Sequence, residues 1–98
     1  MSTDLSVPSP SAEALTGPFE LDPRVALRPE PFGALAYHYG NRRLVFLRSE
    51  EMVRVVRTLA DHPTIDAALE ANGIESRRRR AFTEALAGLQ RSEIIRAR

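Results

Sequence analysis

Four consecutive arginines, Arg77 to Arg80, are the densest concentration of charge in the chain, and they stand just before Phe82 where apolar spacing marks the start of a helix. Planar guanidinium groups hold phosphates or carboxylates through paired hydrogen bonds, so a nucleic acid or an acidic peptide is the chemistry such a run first suggests. At about 100° per residue, four helical neighbours spread over roughly 300° of the cylinder and cannot form one grip. Arg78 and Arg79 precede Phe82 by four and three residues and project to its side, whereas Arg77 and Arg80 turn to solvent or to Glu84.

No other group of residues makes a catalytic or metal-binding constellation. His38 and His62 fall in different elements without ligand spacing, Glu50 and Glu51 are neighbours on one surface, and Tyr37 and Tyr39 share a strand face. Acid–base work needs groups that face each other, so no enzyme activity is expected. With no cysteine in the chain, thiolate chemistry, disulfides and iron–sulfur clusters are excluded. There is no glycine-rich phosphate loop, and no cofactor or metal is expected.

Ninety-eight residues make one domain at most, and the halves differ in charge. Residues 1–41 hold five acids and two arginines, a balance of −3; residues 42–98 hold eight acids and twelve arginines, a balance of +4. No apolar run is long enough to cross a bilayer, and MSTDLSVPSPSAEAL has neither the basic leader nor the apolar stretch of a secretory signal, so a cytoplasmic protein away from membranes is expected. Six of seven prolines lie in the first 31 residues, mixed with serine and acids. This composition predicts a flexible tail over residues 1–22 and a folded domain over 23–98, although Leu15, Phe19 and Leu21 are apolar enough to dock.

Three strands and three helices must position these residues. VALRPE (25–30) reads as a short edge strand, since Pro29 and Pro31 cannot donate to a ladder. ALAYHY and RRLVFLR flank Gly40–Asn41, which predicts a two-residue hairpin loop pairing Tyr37 with Leu44 and Leu35 with Phe46 on one face. Ala36 with Val45 and Ala34 with Leu47 occupy the other. Both faces are largely apolar, so one should cover the helices and the other needs a partner or a partial lid. Ser49 caps a helix carrying Met52, Val55, Val56 and Leu59, which ends at His62–Pro63. Thr64 caps a second helix that ends at Asn72–Gly73, and a third begins near Glu75 or Ser76 and runs through Leu89. SEIIRAR follows as a helical turn or a short strand. The order β-β-β-α-α-α is an α+β fold.

Two binding modes fit this order. The second helix, its glycine turn and the arginine-rich third helix have the outline of a helix-turn-helix, and a small DNA-binding regulator is the alternative reading. Near-neutral net charge, interleaved acids and a hairpin that precedes the helices weigh against nucleic acid. The other mode is strand addition: Arg42 to Arg48 would be a sheet edge whose unpaired backbone groups template an extended peptide, beside a groove walled by the third helix.

From about Pro23 to Ile95, the hairpin HYGNRRLVFLRS, the helices SEEMVRVV and TIDAALE and the ending LAGLQRSEII resemble the precursor-peptide recognition elements of the pyrroloquinoline quinone peptide chaperone type, particularly their mycofactocin-type members. The resemblance implies a winged-helix-like domain, three antiparallel strands followed by three helices. It implies a peptide chaperone that binds the leader of a ribosomally made precursor and delivers it to a radical S-adenosylmethionine maturase; the charge balance argues for no nucleic acid, and the apolar hairpin faces and open edge allow a monomer or weak homodimer when unbound. It also implies a peptide site of Arg43, Leu44, Val45, Phe46, Leu47 and Arg48 on the strand, with Arg78, Arg79, Phe82 and Leu86 on the third helix. Leu47 and Ser49 are separated here by Arg48, a departure that leaves either Phe46 or Leu47 facing the leader.

Overall fold

The computed structural model describes residues 15–98. Strands β2 (Val25–Glu30), β3 (Gly33–His38) and β4 (Leu44–Leu47) form an antiparallel sheet in that order. Pro29 sits in β2, an edge strand, where a missing N–H is tolerated. The β3–β4 register is the one the alternation predicts: Ala34 opposes Leu47, Leu35 Phe46, Ala36 Val45 and Tyr37 Leu44.

The loop between them is longer than predicted. His38 N–H donates to the Arg43 carbonyl (2.9 Å) and Arg42 N–H to the His38 carbonyl (2.8 Å), so four residues, Tyr39 to Arg42, span the turn. The left-handed residue is Arg42 (φ 67°) and not Gly40. The cause is His38, which is fully buried and whose Nδ1 accepts the N–H groups of Gly40 (2.9 Å) and Asn41 (3.0 Å). A Cβ on Gly40 would stand 2.7 Å from the imidazole Cε1, which is why glycine fits there. Two and four residues close a hairpin in the same register, so the facing pairs are unchanged.

Helices α1 (Glu50–Thr58), α2 (Ile65–Ala71) and α3 (Ser76–Arg91) pack on the inner sheet face, with a 3₁₀ turn at Leu59–Asp61. The caps are those the sequence predicts: Met52 N–H donates to Ser49 Oγ (3.1 Å), and Ala67 N–H to Thr64 Oγ1 (3.0 Å). Gly73 takes the left-handed position after α2 (φ 76°), and the Ile74 N–H turns back to the Leu69 carbonyl. Ala34, Ala36, Leu47, Val55, Val56, Leu69, Leu86 and Ile94 form the centre of the core.

The α+β, winged-helix-like order is extended by a strand at each end. β1 (Phe19–Leu21) pairs antiparallel with β5 (Ile95–Ala97), so SEIIRAR ends as a strand. The domain boundary drawn between residues 22 and 23 therefore falls within packed structure: Leu15 and Phe19 are buried, and the Asp22 N–H donates to the Ile94 carbonyl. Proline-rich composition hides this strand, because one large aromatic and a distant partner hold it, and neither registers in local composition. Residues 1–14 of the predicted tail lie outside the described residues.

Phe19 anchors this clasp. Replacing it with alanine should cost about 3–5 kcal/mol, the usual range for a fully buried phenylalanine. Urea unfolding checks this; a loss under about 1 kcal/mol would mean that β1 and β5 stand outside the cooperative unit.

Candidate functional site

β4 is a sheet edge, paired to β3 on one side and, among the described residues, to no strand on the other. The His38 N–H donates to the Arg43 carbonyl, and with this phase the alternation of an antiparallel ladder turns the backbone groups of Val45 and Leu47 toward β3. The N–H and C=O groups of Leu44 and Phe46 then point to the open edge. Facing that edge across a cleft of about 480 Å³ is one side of α3.

The α3 side that lines the cleft is built from Arg78, Ala81, Phe82, Ala85, Gly88 and Leu89, positions three and four apart. Three of the six are alanine or glycine, so the wall recedes and leaves room for an extended backbone. Val45, Phe46, Leu47, Arg48 and Ser49 form the strand side, and Met52 of α1 closes one end. The surface is mainly apolar, which suits desolvation of a peptide's side chains while the strand edge satisfies its backbone.

Of the residues expected at the site, Val45, Phe46, Leu47, Arg48, Arg78 and Phe82 meet in this cleft. Leu47 is the inward residue and buried; Phe46 lies on the outer face, over half exposed, and still borders the cleft because its strand is the edge. The other four fall elsewhere. Leu44 is exposed on the outer face, Leu86 is fully buried in the core, Arg43 donates to the Arg91 carbonyl (3.2 Å), and Arg79 donates through Nε to the Ile74 carbonyl (3.2 Å). Arg79 stands three residues before Phe82 on the predicted side, but the bond to Ile74 draws it back over the α2–α3 turn. Ala81, Ala85 and Gly88 were missed; their signal was small size at helical spacing beside Phe82 and Leu89.

Two sets of contacts tie the ends of the cleft. At one end, Arg78 forms a bidentate pair with Glu51 of α1 (2.6 and 3.0 Å) and lies 5.3 Å from the Phe82 ring centroid. The hydrogen bonds from Arg78 lower the Glu51 pKa, and the same bonds raise that of Arg78. At the other, Asn41 Nδ2 donates to the Ser92 carbonyl (3.3 Å) and to Glu93 Oε1 (3.1 Å), holding the hairpin loop to the end of α3 beside the Arg43–Arg91 contact. The remaining arginines of the run are also engaged, Arg77 with Glu75 and Arg80 with Glu84. A duplex would meet arginines already bonded within the chain.

Behind the loop, His38 Nδ1 accepts two N–H groups, and Nε2 stands 3.7 Å from Asp22 Oδ2 with no hydrogen-bond partner among the described residues. The Arg24 side chain holds the buried Asp22 carboxyl well below the usual carboxylate value, at about 2, through bonds to both oxygens, and burial opposes it. A larger hollow of about 590 Å³ lies where Leu15 to Gly17 pass α2 and α3, but no strand edge borders it. Among the described residues no three His, Asp or Glu side chains are grouped to hold a metal ion, and no helix is long and apolar enough to cross a membrane.

A family model matches most of the chain: that of the peptide chaperone MftB family covers residues 18–96. The chain is similar to the peptide chaperone MftB of Mycobacterium ulcerans (strain Agy99), with 41% identity over 99 aligned residues, 93% of this chain and 90% of the relative. That of Mycobacterium tuberculosis (strain ATCC 25618 / H37Rv) is 38% identical over 93% of this chain and 91% of its own. That of Mycolicibacterium smegmatis is 44% identical over 79% and 76%. No solved structure gives a significant match.

The Asp22 brace behind the hairpin can be tested without a ligand. Its folded pKa lies below the unfolded one, so the stability it adds is present above about pH 4 and is lost as pH falls toward 2. Because Arg24 is half exposed, the contribution should be about 1–2 kcal/mol. Wild type should exceed Asp22→Asn by that amount at pH 6, and urea titrations should show the gap closing by pH 2.

Proposed function

The chain belongs to the peptide chaperone MftB family, and from that premise we propose that it binds the leader of a ribosomally synthesised precursor peptide by strand addition to β4. It delivers that leader to a radical S-adenosylmethionine maturase of mycofactocin-type biosynthesis, in the cytoplasm, and leaves the chemistry to that enzyme. The observation that carries this reading is the juxtaposition of an open strand edge with a mainly apolar cleft of about 480 Å³. Backbone groups of Leu44 and Phe46 supply bonds that do not depend on leader sequence. Selection comes from leader side chains that reach Phe82 and Leu89 past the small residues of α3.

The arginines have a narrower role than a run of four suggests. A leader carboxylate that takes Arg78 must displace Glu51, exchanging one charge-assisted pair for another with little net gain. Arg48, exposed at the strand end and in no ion pair among the described residues, is the better register contact for a leader acid.

Phe82→Asp should weaken leader binding strongly, but Phe82 also belongs to the core. Ala85, exposed on the same wall, separates binding from folding. Ala85→Glu places an unpaired charge in the cleft and should weaken the leader about 10- to 100-fold by calorimetry, with thermal stability nearly unchanged. Wild-type affinity in that variant would sink the cleft assignment. In a titration followed by amide resonances, residues 43–48 should shift most; shifts confined to residues 64–80 would favour the helix-turn-helix surface instead.

A further inference from the structure

Four large apolar side chains are exposed among the described residues: Phe32 (44%), Tyr39 (65%), Leu44 (57%) and Phe46 (54%). All four belong to the sheet face that turns away from the helices. Leu44 and Phe46 alternate outward on β4, opposite Tyr37 and Leu35 of β3. Phe32 reaches this face from the β2–β3 turn and meets the Phe46 ring edge to face at 5.6 Å, and Tyr39 meets Tyr37 in the same way at 5.1 Å. The fold does not need this surface, since the core lies wholly on the other side of the sheet. A contiguous apolar face on a small domain is a docking surface by default.

Charge selects the occupant. Residues 24–49 contain five arginines and a single acid, Glu30. That acid is bonded to Arg28 (2.9 Å), while Arg42 and Arg48, exposed at the two ends of β4, have no ionic partner among the described residues. Two copies meeting through this face would bring unneutralised arginines together with no carboxylate to receive them. Rings paired edge to face on a sheet, rimmed by arginine, match the aromatic and arginine content of protein interfaces. The face is also continuous with the leader edge: a strand added beside β4 extends the same sheet, and its alternate side chains lie level with Leu44 and Phe46.

We infer that the outer face of the sheet, centred on Phe32, Tyr37, Tyr39, Leu44 and Phe46, docks a protein surface that sets carboxylates around an apolar patch, and that this surface belongs to the enzyme receiving the leader. The inference rests on the strand-addition reading, because it makes β4 the shared element: its edge holds the leader and its outer face meets the recipient. The enzyme thus touches chaperone and leader together, and the leader's outward side chains contribute to the joint surface.

The test uses the full chain and two variants that leave the cleft alone, the double substitution Phe32→Glu with Tyr39→Glu, and Arg42→Glu. Neither aromatic lies on β4 or lines the cleft, and both are exposed, so folding is preserved and circular dichroism verifies it. Each protein is titrated with the leader peptide and, loaded and unloaded, with the purified radical S-adenosylmethionine maturase. Expected results are leader affinity within about twofold of wild type for both variants, and maturase affinity reduced about tenfold or more for each. Wild-type binding to the maturase should also weaken as salt rises. Maturase affinity unchanged in the double variant, or no maturase binding by wild type, overturns the inference. Capture of wild type, but not of the variant, on phosphatidylglycerol vesicles with maturase binding unchanged replaces the protein partner with a membrane. A wild-type dimer that the substitutions dissociate, again with maturase binding unchanged, replaces it with a second copy. Failure of the underlying reading shows separately, as absent leader binding by wild type.

Discussion

Hairpin register is the constraint from which the core, the open edge and the outer face all follow. Side chains alternate along β3 and β4, so a slip of one residue would turn Ala34, Ala36 and Leu47 outward and bring Tyr37 and Phe46 into the helices. Hydrophobicity alone holds this setting weakly, because both faces are apolar. His38 supplies what the pattern lacks. Its ring is buried, and its Nδ1 gathers the two N–H groups at the tip of the loop, while Nε2 has no hydrogen-bond partner among the described residues. A buried acceptor that meets its donors only with the loop in this geometry specifies structure even when it adds little net stability. Asp22 and Arg24 stand behind the ring and tie the same point to the β1–β2 corner.

With register set, the edge strand faces a second constraint. Sheet edges invite unwanted pairing and are commonly blunted by inward charges, prolines or bulges. β4 has none of these within Leu44–Leu47; its arginines stand at the ends, and α3 runs alongside at a distance that leaves a cleft. That distance is held by contacts at both ends of α3, Glu51–Arg78 and the loop contacts to Arg91, Ser92 and Glu93. Partly exposed ion pairs of this kind contribute little to stability. Their consequence is geometric, since a helix pinned at both ends neither closes on the strand nor drifts from it.

Local signals were legible in the sequence and distant ones were not. The strand pairing, the caps at Ser49 and Thr64, the left-handed Gly73 and the start of α3 each depend on residues a few positions apart, and each was readable there. The β1–β5 clasp joins Phe19 to Ala97 across nearly the whole chain, and its first strand lies in a stretch that composition assigns to a tail. Side-chain destinations failed for the same reason. Arg79 lies on the predicted side of α3, yet the Ile74 carbonyl captures it; Leu86 shares the side of Phe82 but sits one turn deeper, in the core. The small residues of the cleft wall carry no chemistry of their own and so give no local signal, although their smallness makes the cleft.

The arginine run shows how a charge cluster loses its apparent meaning on folding. Read along the chain, Arg77 to Arg80 form one cationic block; in the structure each has a different partner, Glu75, Glu51, the Ile74 carbonyl and Glu84. Arg42 and Arg48 of the hairpin have no ion-pair partner among the described residues, and no acid lies beside them in the sheet. Recognition of an acidic partner depends on charge left over after internal pairing, because a satisfied guanidinium must break one bond to make another. Unspent positive charge therefore flanks β4, the strand that also bears the exposed apolar side chains and the open backbone edge.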